Sequence, residues 1–424
     1  MKISKEVFGF GSPNRDQLLN DASVFSILEE VFAANDLSGK KVLFIIPDST
    51  RTMPLPLFFN SFYKLLHGKV EKMDFIIALG THMPMSEEAI CKEVGITLEE
   101  MKGKFRDITF YNHEWEKEET FVDLGSFPAE EINRLTYGTI NEDITVQINK
   151  LVLEYDILVV CGPVFPHEVI GFSGGAKYFF PGISGPEFIN TTHWIGAMNT
   201  CIDTIGIRDT PQRGLLERAA EWIPREKLFC CPVVKTEGIY GLFTGDPYET
   251  WKRAADLSSQ VHIQYEGRQY QTVFSEMPLL YDDIWTAAKG MYKLEAVVAD
   301  GGELIIYAPH VDEISYTHGK VLDKIGYHCR DYFVKQWDQF KHEPWGVLAH
   351  STHLTGLGTF ETGIEKKRIR VYLATKIPQE RCEKVNLGYI DPDTVNPDSY
   401  KNRESEGILF VPHAGEILYK LKNI

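Results

Sequence analysis

Lys41-Val-Leu-Phe-Ile-Ile-Pro-Asp48, running on into Ser49-Thr50-Arg51, sets the frame for the whole chain. Its apolar residues lack the polar alternation of a half-solvated strand. The segment therefore reads as a strand buried on both faces, the kind found in parallel sheets covered by helices. Two further runs repeat the form. Met73-Asp-Phe-Ile-Ile-Ala-Leu-Gly80 leads into Thr81-His82, and Ile157-Leu-Val-Val-Cys-Gly162 leads into Pro163-Val-Phe-Pro-His167. Between the first two, residues 53–66 (MPLPLFFNSFYKLL) predict a helix with proline in its first turn. Strand, helix and strand in alternation imply an α/β layered sheet with right-handed crossovers. Ligands of such sheets sit at the carboxyl ends of the strands. Asp48, Arg51, His82 and His167 all fall at or just after those ends.

At 424 residues the chain is too long for one hydrophobic core and predicts two or three domains. A second region follows the polar stretch Gln264–Thr272. It predicts a helix over Pro278–Lys293, a strand over Glu303–Pro309, a helix over 321–338 and a strand over Arg368–Ala374. A last strand, Gly407–Pro412, leads to His413 and a short terminal helix. The expected organisation is two α/β domains. A larger Rossmann-like N-terminal unit is expected over residues 1–270 with 407–424 and a smaller one over 276–403, with a ligand site in the cleft between them.

Composition narrows the function. With 43% hydrophobic and 25% charged residues, the chain is far from disorder. Its formal net charge of −16 disfavours nonspecific binding of nucleic acid, and an acidic substrate would need a local positive pocket. The opening MKISKEVFGFGS has no apolar region of a secretory signal, and no apolar run is long enough to span a membrane. Seven cysteines without a CxxC pair argue against a disulfide framework and against a cysteine zinc site. A cytoplasmic protein is expected.

The densest signal is His167-Glu-Val-Ile-Gly-Phe-Ser-Gly174-Gly175-Ala-Lys177-Tyr-Phe-Phe-Pro-Gly-Ile-Ser-Gly185, followed by Asn190-Thr-Thr-His193. Its glycines let backbone approach a ligand closely and take positive φ. Lys177 stands in an apolar setting that lowers an amine's pKa and favours its nucleophilic form. A phosphate-cradling loop of the Gly-Lys-Ser/Thr type is excluded, because Ala176 precedes the lysine and Tyr178 follows it. A glycine-rich loop with a solvated lysine is the plainer alternative.

With these motifs on the page, the chain resembles the nickel-pincer lactate racemase family along essentially its whole length. The resemblance is carried by Asp48-Ser-Thr-Arg51-Thr-Met-Pro54, Gly80-Thr-His82, His167 to Gly185 with Lys177, His193, and the late segment from Gly358-Thr-Phe to Val385-Asn-Leu-Gly-Tyr-Ile390. It implies a pyridinium mononucleotide bearing two thio-acid groups, one tethered to Lys177 as a thioamide. Two sulfurs and a carbon of that cofactor hold nickel, and His193 fills the fourth position, a donor set suited to square-planar Ni(II). The implied reaction is racemisation or epimerisation of a 2-hydroxy acid. A base takes the hydroxyl proton while the Cα hydride passes to the cofactor, and the planar keto acid takes the hydride back on its other face. His82 and His167 match the acid/base pair, for which imidazole suits neutral pH. Arg51 matches a substrate-binding arginine able to grip a carboxylate bidentately. Asp48, Ser49, Thr50, Gly174 and Gly175 match cofactor-binding positions; alone, Asp48 also reads as a helix N-cap. The resemblance also implies that the larger unit, 1–270 with 407–424, binds the cofactor and that the smaller, 276–403, closes over it with Thr286 and Lys289 on the substrate. The implied partners are the small-molecule substrate and the proteins that build the cofactor.

Two departures bear on substrate. Where the lactate enzymes carry Gln-x-x-Lys at the start of the second domain, this chain reads Thr286-Ala-Ala-Lys289, which shortens one side chain and leaves room. Met83 follows His82 where arginine is common. With His310, Asp312, Tyr316, His318, Tyr327 and His328 nearby in sequence, a roomier and more polar pocket is expected, suited to an aldonate epimerised at C2 rather than to lactate proper. Other readings are a lactate racemase proper, a pyridoxal-phosphate enzyme with Lys177 as its Schiff-base lysine, or a nonenzymatic nucleotide-binding module. The histidines of Lys341-His-Glu-Pro-Trp-Gly-Val-Leu-Ala-His350-Ser-Thr-His353 suit no metal site, since Pro344 and Gly346 are expected to break any helix there. The acidic run Glu114–Glu119 is expected to be solvated.

Overall fold

A computed structural model describes residues 2–422. Three central strands form where the apolar runs stand: Lys41–Ile46, Lys72–Ile77 and Ile157–Cys161. They pair in parallel, with Lys41–Ile46 in the middle, inside a seven-stranded sheet. Phe110–Asn112 continues the sheet on one side and Glu226–Lys235 on the other, both parallel. The hairpin Glu226–Lys235/Gly238–Gly245 and the edge strand Val7–Gly11 add antiparallel pairs.

The central strands are apolar because both faces are covered. Val42, Phe44 and Ile46 pack under helices Asp21–Ala34 and Leu55–Leu66, while Leu43 and Ile45 face the opposite core. On the first face Phe62, Phe44, Phe75 and Phe110 stack in series, with centroids 4.5, 4.8 and 5.2 Å apart. Each such contact adds a fraction of a kcal/mol to roughly 1.5 kcal/mol beyond area burial. Asp74 is the exception to the apolar rule. Its buried carboxylate accepts from the Tyr155 hydroxyl at 2.5 Å and from the Thr109 N–H at 2.6 Å, with the Lys72 ammonium at 2.7 Å.

A second, all-parallel sheet has the order Gly388–Tyr389, Arg370–Thr375, Val298–Ala308, Tyr270–Glu276, Ile408–Val411. One apolar core runs from Leu43 and Ile45 of the first sheet to Val273, Leu304 and Leu373 of the second. The protein is thus a mixed α/β structure with two sheets dominated by parallel pairing. No helix among the described residues is long and apolar enough to cross a membrane.

Several expectations for the second half are corrected. The strand Tyr270–Glu276 was not foreseen, and Ile408–Val411 pairs with it in the second sheet rather than joining the first. The expected terminal helix is a strand, Leu418–Leu421, parallel to Ile263–Glu266. The helix expected over 278–293 is reduced to Ile284–Ala287 and Lys289–Tyr292, because the Asp283 side chain caps the first turn and starts the helix there. The helix expected over 321–338 is three short ones, Gly319–Ile325, Arg330–Val334 and Trp337–Phe340, the first stopped by Gly326 at φ +71°. His350 and His353 sit on a real helix, Trp345–Thr355. Pro344 is its N-cap residue, where a missing N–H costs nothing.

The glycine-rich segment is fixed from outside. Arg213, on helix Pro211–Glu221, is almost fully buried and donates to the carbonyls of Phe172 (2.5 Å), Ser173 (3.4 Å) and Gly174 (3.3 Å). Its guanidinium lies 3.9 Å over the Trp251 ring and pairs with Glu217 at 3.2 Å. The Trp251 indole N–H donates to the same Ser173 carbonyl at 2.8 Å. Substituting Arg213→Met leaves Glu217 and three carbonyls without their donor, and should lower unfolding free energy by about 3–5 kcal/mol, read from the midpoint of urea denaturation. A change below about 0.5 kcal/mol would show that the clamp does not hold the loop.

Candidate active site

Three neighbouring parallel strands deliver the site at their carboxyl ends. Pro47 and Asp48 follow Lys41–Ile46; Gly80, Thr81 and His82 follow Lys72–Ile77; Pro163 to His167 follow Ile157–Cys161. The Gly80 N–H donates to the Gly182 carbonyl at 2.9 Å, joining the His82 turn to the glycine-rich segment. The Trp115 indole donates to the His82 carbonyl at 3.0 Å. Pro166–His167 pairs with Gly171–Phe172, a single turn covers Gly175–Tyr178, and helix Pro186–Met198 then carries His193.

These elements and the second half of the chain enclose a cavity of about 150 Å³. Asp48, Arg51, His82, His167, Gly174, Lys177, His193, Thr286 and Lys289 all line it. An adjoining cavity of about 80 Å³ shares Arg51, His167 and Lys289 and adds Thr50. Ser49 is exposed and Gly175 lies under Trp251, so neither lines a cavity. His310 donates to the Tyr281 carbonyl at 2.9 Å, His328 pairs with Glu365 at 2.9 Å, and His318 packs on Trp285 with ring centroids 4.4 Å apart. Those three histidines brace loops outside the cavity lining. The run Glu114–Glu119 lies at the surface.

The two cleft histidines have different supports. His82 donates from Nδ1 to the Asp48 carboxylate at 2.5 Å, which leaves Nε2 as the free ring nitrogen. Asp48 is buried, which raises its pKa, but the His82 bond and charge, the Arg51 charge and the Thr50 hydroxyl at 2.6 Å outweigh that. They hold it well below the carboxylate range. His167 accepts the Val169 N–H on Nδ1 at 3.2 Å, with a Glu168 oxygen 3.5 Å away. Burial, joined by the Lys177 and Arg51 charges and opposed by Glu168, keeps its imidazole neutral well below the ordinary range. Burial raises the pKa of Glu168, yet it is held well below the carboxylate range by its coupling to His167 and His353, whose protonated forms it would favour, by a backbone N–H and by Lys289.

The amines are equally distinctive. Burial, then the Arg51 charge, brings Lys177 down to about 7, partly offset by Glu168 and Asp48. Among the described residues its Nζ has no hydrogen bond or ion pair. Lys289 is lowered to about 7 by the same leading causes and lies 4.5 Å over the Tyr281 ring. The Arg51 guanidinium donates to the Thr50 hydroxyl at 2.7 Å. His193 is pinned through Nδ1, which donates to the Ile189 carbonyl at 2.7 Å, leaving Nε2 as a bare donor atom for a ligand. Thr286 donates its hydroxyl to Asp283 at 2.8 Å and so has only lone pairs left to offer.

The residues present fit a nucleotide cofactor tethered by an amide-type bond and holding a metal. A near-neutral, unpartnered amine, a free imidazole nitrogen and a glycine wall share one cavity. A Cβ on Gly174, which sits at φ +76°, would come within 2.5 Å of Val164. No cluster of three His, Cys, Asp or Glu residues that could hold a metal occurs among the described residues, so His193 would need donors from the bound group. Sequence reasoning missed Glu168, Trp285, Tyr292, His350 and His353, which also line this cavity. Only Glu168 had a signal, its place beside His167.

Residues 24–203 match the family model of the lactate racemase N-terminal domain. A lactate racemase from Thermoanaerobacterium thermosaccharolyticum is 28% identical over 281 residues, 65% of this chain and 61% of that protein. The match therefore spans less than two thirds of the curated relative. A crystal structure of a protein from Thermotoga maritima is 32% identical and covers 97% of this chain and 100% of its own, with a TM-score of 0.88. The lactate racemase apoprotein structure from T. thermosaccharolyticum shares the fold at a TM-score of 0.69 and 19% identity, covering 91% of this chain and 88% of that one.

The Lys177 shift has a consequence for stability. An unfolded lysine keeps its proton to about 10.5, whereas folded Lys177 releases it near 7. Between those values the unfolded chain binds more protons, so raising pH stabilises the fold through this group. The substitution Lys177→Met should therefore stabilise the cofactor-free protein at pH 6–7, and the gain should shrink as pH rises towards 10. Thermal melts across that range read it, and a pH-independent difference would contradict the shift.

Proposed function

This chain belongs to the lactate racemase family, and from that premise we propose that it inverts the C2 centre of 2-hydroxy acids with a nickel-pincer nucleotide tethered at Lys177. The observation that carries the reading is the meeting of an unpartnered near-neutral lysine, a free His193 nitrogen and two separately supported histidines around one cavity. The Schiff-base and nucleotide-module readings leave His82, His167 and His193 without work. Lys177 would hold the cofactor and His193 its nickel, with Asp48, Thr50 and Gly174 shaping the walls. When bound, that group supplies an acceptor for the Cα hydrogen as hydride.

The chain's own residues do the remainder. His82 takes the C2 hydroxyl proton on Nε2, and Asp48 stabilises the imidazolium that results, as a carboxylate does for a triad histidine. His167 is the second acid/base. It donates through Nε2–H while Val169 holds Nδ1, and Glu168 offers the alternative partner when Nδ1 carries the proton. Arg51 and Lys289 bind the substrate carboxylate. Their mutual repulsion in an enclosed site is relieved when an anion arrives, and so a molecule of net charge −16 still accepts an acid. We read the second sheet as a smaller closing unit that brings Thr286 and Lys289 over the cofactor-bearing one and keeps water from the keto acid.

The substrate is read as larger and more polar than lactate, an aldonate epimerised at C2. The shortened Thr286 and the adjoining cavity of about 80 Å³ support this. Maturation is assigned to separate cofactor-building proteins in the cytoplasm.

Intact-mass analysis with nickel quantification, after co-expression with those proteins, tests the reading. The expected result is an adduct on the Lys177 peptide with one nickel per chain, absent from Lys177→Arg. An unmodified Lys177, in a host that modifies a lactate racemase, would overturn it. In the matured enzyme Asp48→Asn should lower kcat by about 10²–10⁴-fold while leaving the Lys177 adduct in place. Retention of activity would remove Asp48 from the proton transfer.

A further inference from the structure

Helix Trp345–Thr355 packs on the helix that carries His193: the Gly346 N–H donates to Asn190 Oδ1 at 2.9 Å. From this helix His350 and His353, one turn apart, line the same cavity as Lys177 and His193. Each has a ring nitrogen buried without a partner, Nδ1 of His350 and Nε2 of His353. The proton transfers described above use neither.

His350 is held in one state. Its ring stacks on the Trp285 indole, centroids 3.9 Å apart and planes within 9°, and its Nε2–H donates to the Trp285 carbonyl at 3.0 Å. With the hydrogen on Nε2, Nδ1 is a bare acceptor. Burial first of all brings His350 to about 3 and His353 to about 4, so neither is a cation at neutral pH and neither is a partner for a carboxylate. What an orphaned neutral acceptor in a cavity lacks is a neutral donor. A hydroxyl group supplies one, whereas the methyl of lactate does not.

We propose that His350 and His353 are specificity-determining residues that recognise hydroxyl groups beyond C2 of a polyhydroxy acid, His350 by accepting a hydrogen bond on Nδ1. The proposal rests on the reading of this site as a 2-hydroxy-acid racemase or epimerase. It places the polar wall opposite the Arg51–Lys289 end only in chemistry: cations for the carboxylate, neutral imidazoles for the hydroxyls. A site built this way discriminates strongly against an analogue that leaves its polar groups unpaired.

The test compares gluconate with 2-hydroxyhexanoate, which has the same chain length without the further hydroxyls, in the matured holoenzyme. The expected wild-type preference is for gluconate. His350→Gln keeps a donor for the Trp285 carbonyl and removes the Nδ1 acceptor. It should lower kcat/KM for gluconate by about tenfold or more, leave that for 2-hydroxyhexanoate within about threefold, and leave the Lys177 adduct intact. Equal losses on both acids would overturn the proposal. Should this variant fail to fold, the ¹⁵N shift of His350 Nδ1 in the wild-type holoenzyme decides: it moves with gluconate and not with 2-hydroxyhexanoate, and an unmoved resonance under saturating gluconate overturns the assignment. A holoenzyme that inverts 2-hydroxyhexanoate as well as gluconate overturns only this inference, whereas one that inverts neither overturns the reading of function beneath it.

Discussion

The Arg213 guanidinium, shut inside the protein against Trp251 and Glu217, holds the carbonyls of Phe172, Ser173 and Gly174 in place. A glycine-rich segment has too few side chains to fix its own path, and two of its glycines adopt positive φ just before Lys177. The clamp supplies that order from outside. It fixes the backbone of Phe172–Gly174, the stretch that leads directly into the turn carrying Lys177. A buried cation is tolerable here because three carbonyls, an indole face and a carboxylate share it.

The cavity beyond the clamp collects ionisable groups that burial alone would neutralise. Asp48 and Glu168 remain charged through their histidine and cation neighbours, while Lys177 and Lys289 are driven towards the neutral amine. The outcome is a site with one imidazole fixed by a carboxylate, a second balanced between a backbone N–H and Glu168, and two amines near their titration point. Separate environments for chemically similar groups are what allow proton transfer in both directions at one pH.

Much of this was legible in the sequence for a simple reason. Strands covered on both faces must be apolar throughout, so Val42–Ile46, Phe75–Ile77 and Ile157–Cys161 announce themselves, and the polar residues at their ends mark where ligands reach a parallel sheet. Asp48, Arg51, His82 and His167 could thus be named from strand ends and Lys177 from its glycine-rich setting, whereas His193, Thr286 and Lys289 were named only through the family resemblance; all eight line one cavity. The second half was harder. Pro344 looks like a helix breaker but serves as the cap of helix Trp345–Thr355, so His350 and His353 seemed scattered. Tyr270–Glu276 and Leu418–Leu421 are strands by virtue of distant partners, Val298–Ala308 and Ile263–Glu266, which no local pattern reveals. Orphaned ring nitrogens exist only once the surrounding partners are known.

The central claim is that inversion at C2 moves the Cα hydrogen as a hydride while the histidines move only the hydroxyl proton. The most direct measurement uses C2-deuterated substrate in ordinary water with the matured enzyme, following the label in the inverted product by mass spectrometry. Retention of deuterium at C2 through inversion is the predicted result. Loss of the label to solvent at the rate of inversion would mean that a base removes the Cα hydrogen as a proton, and would contradict the account.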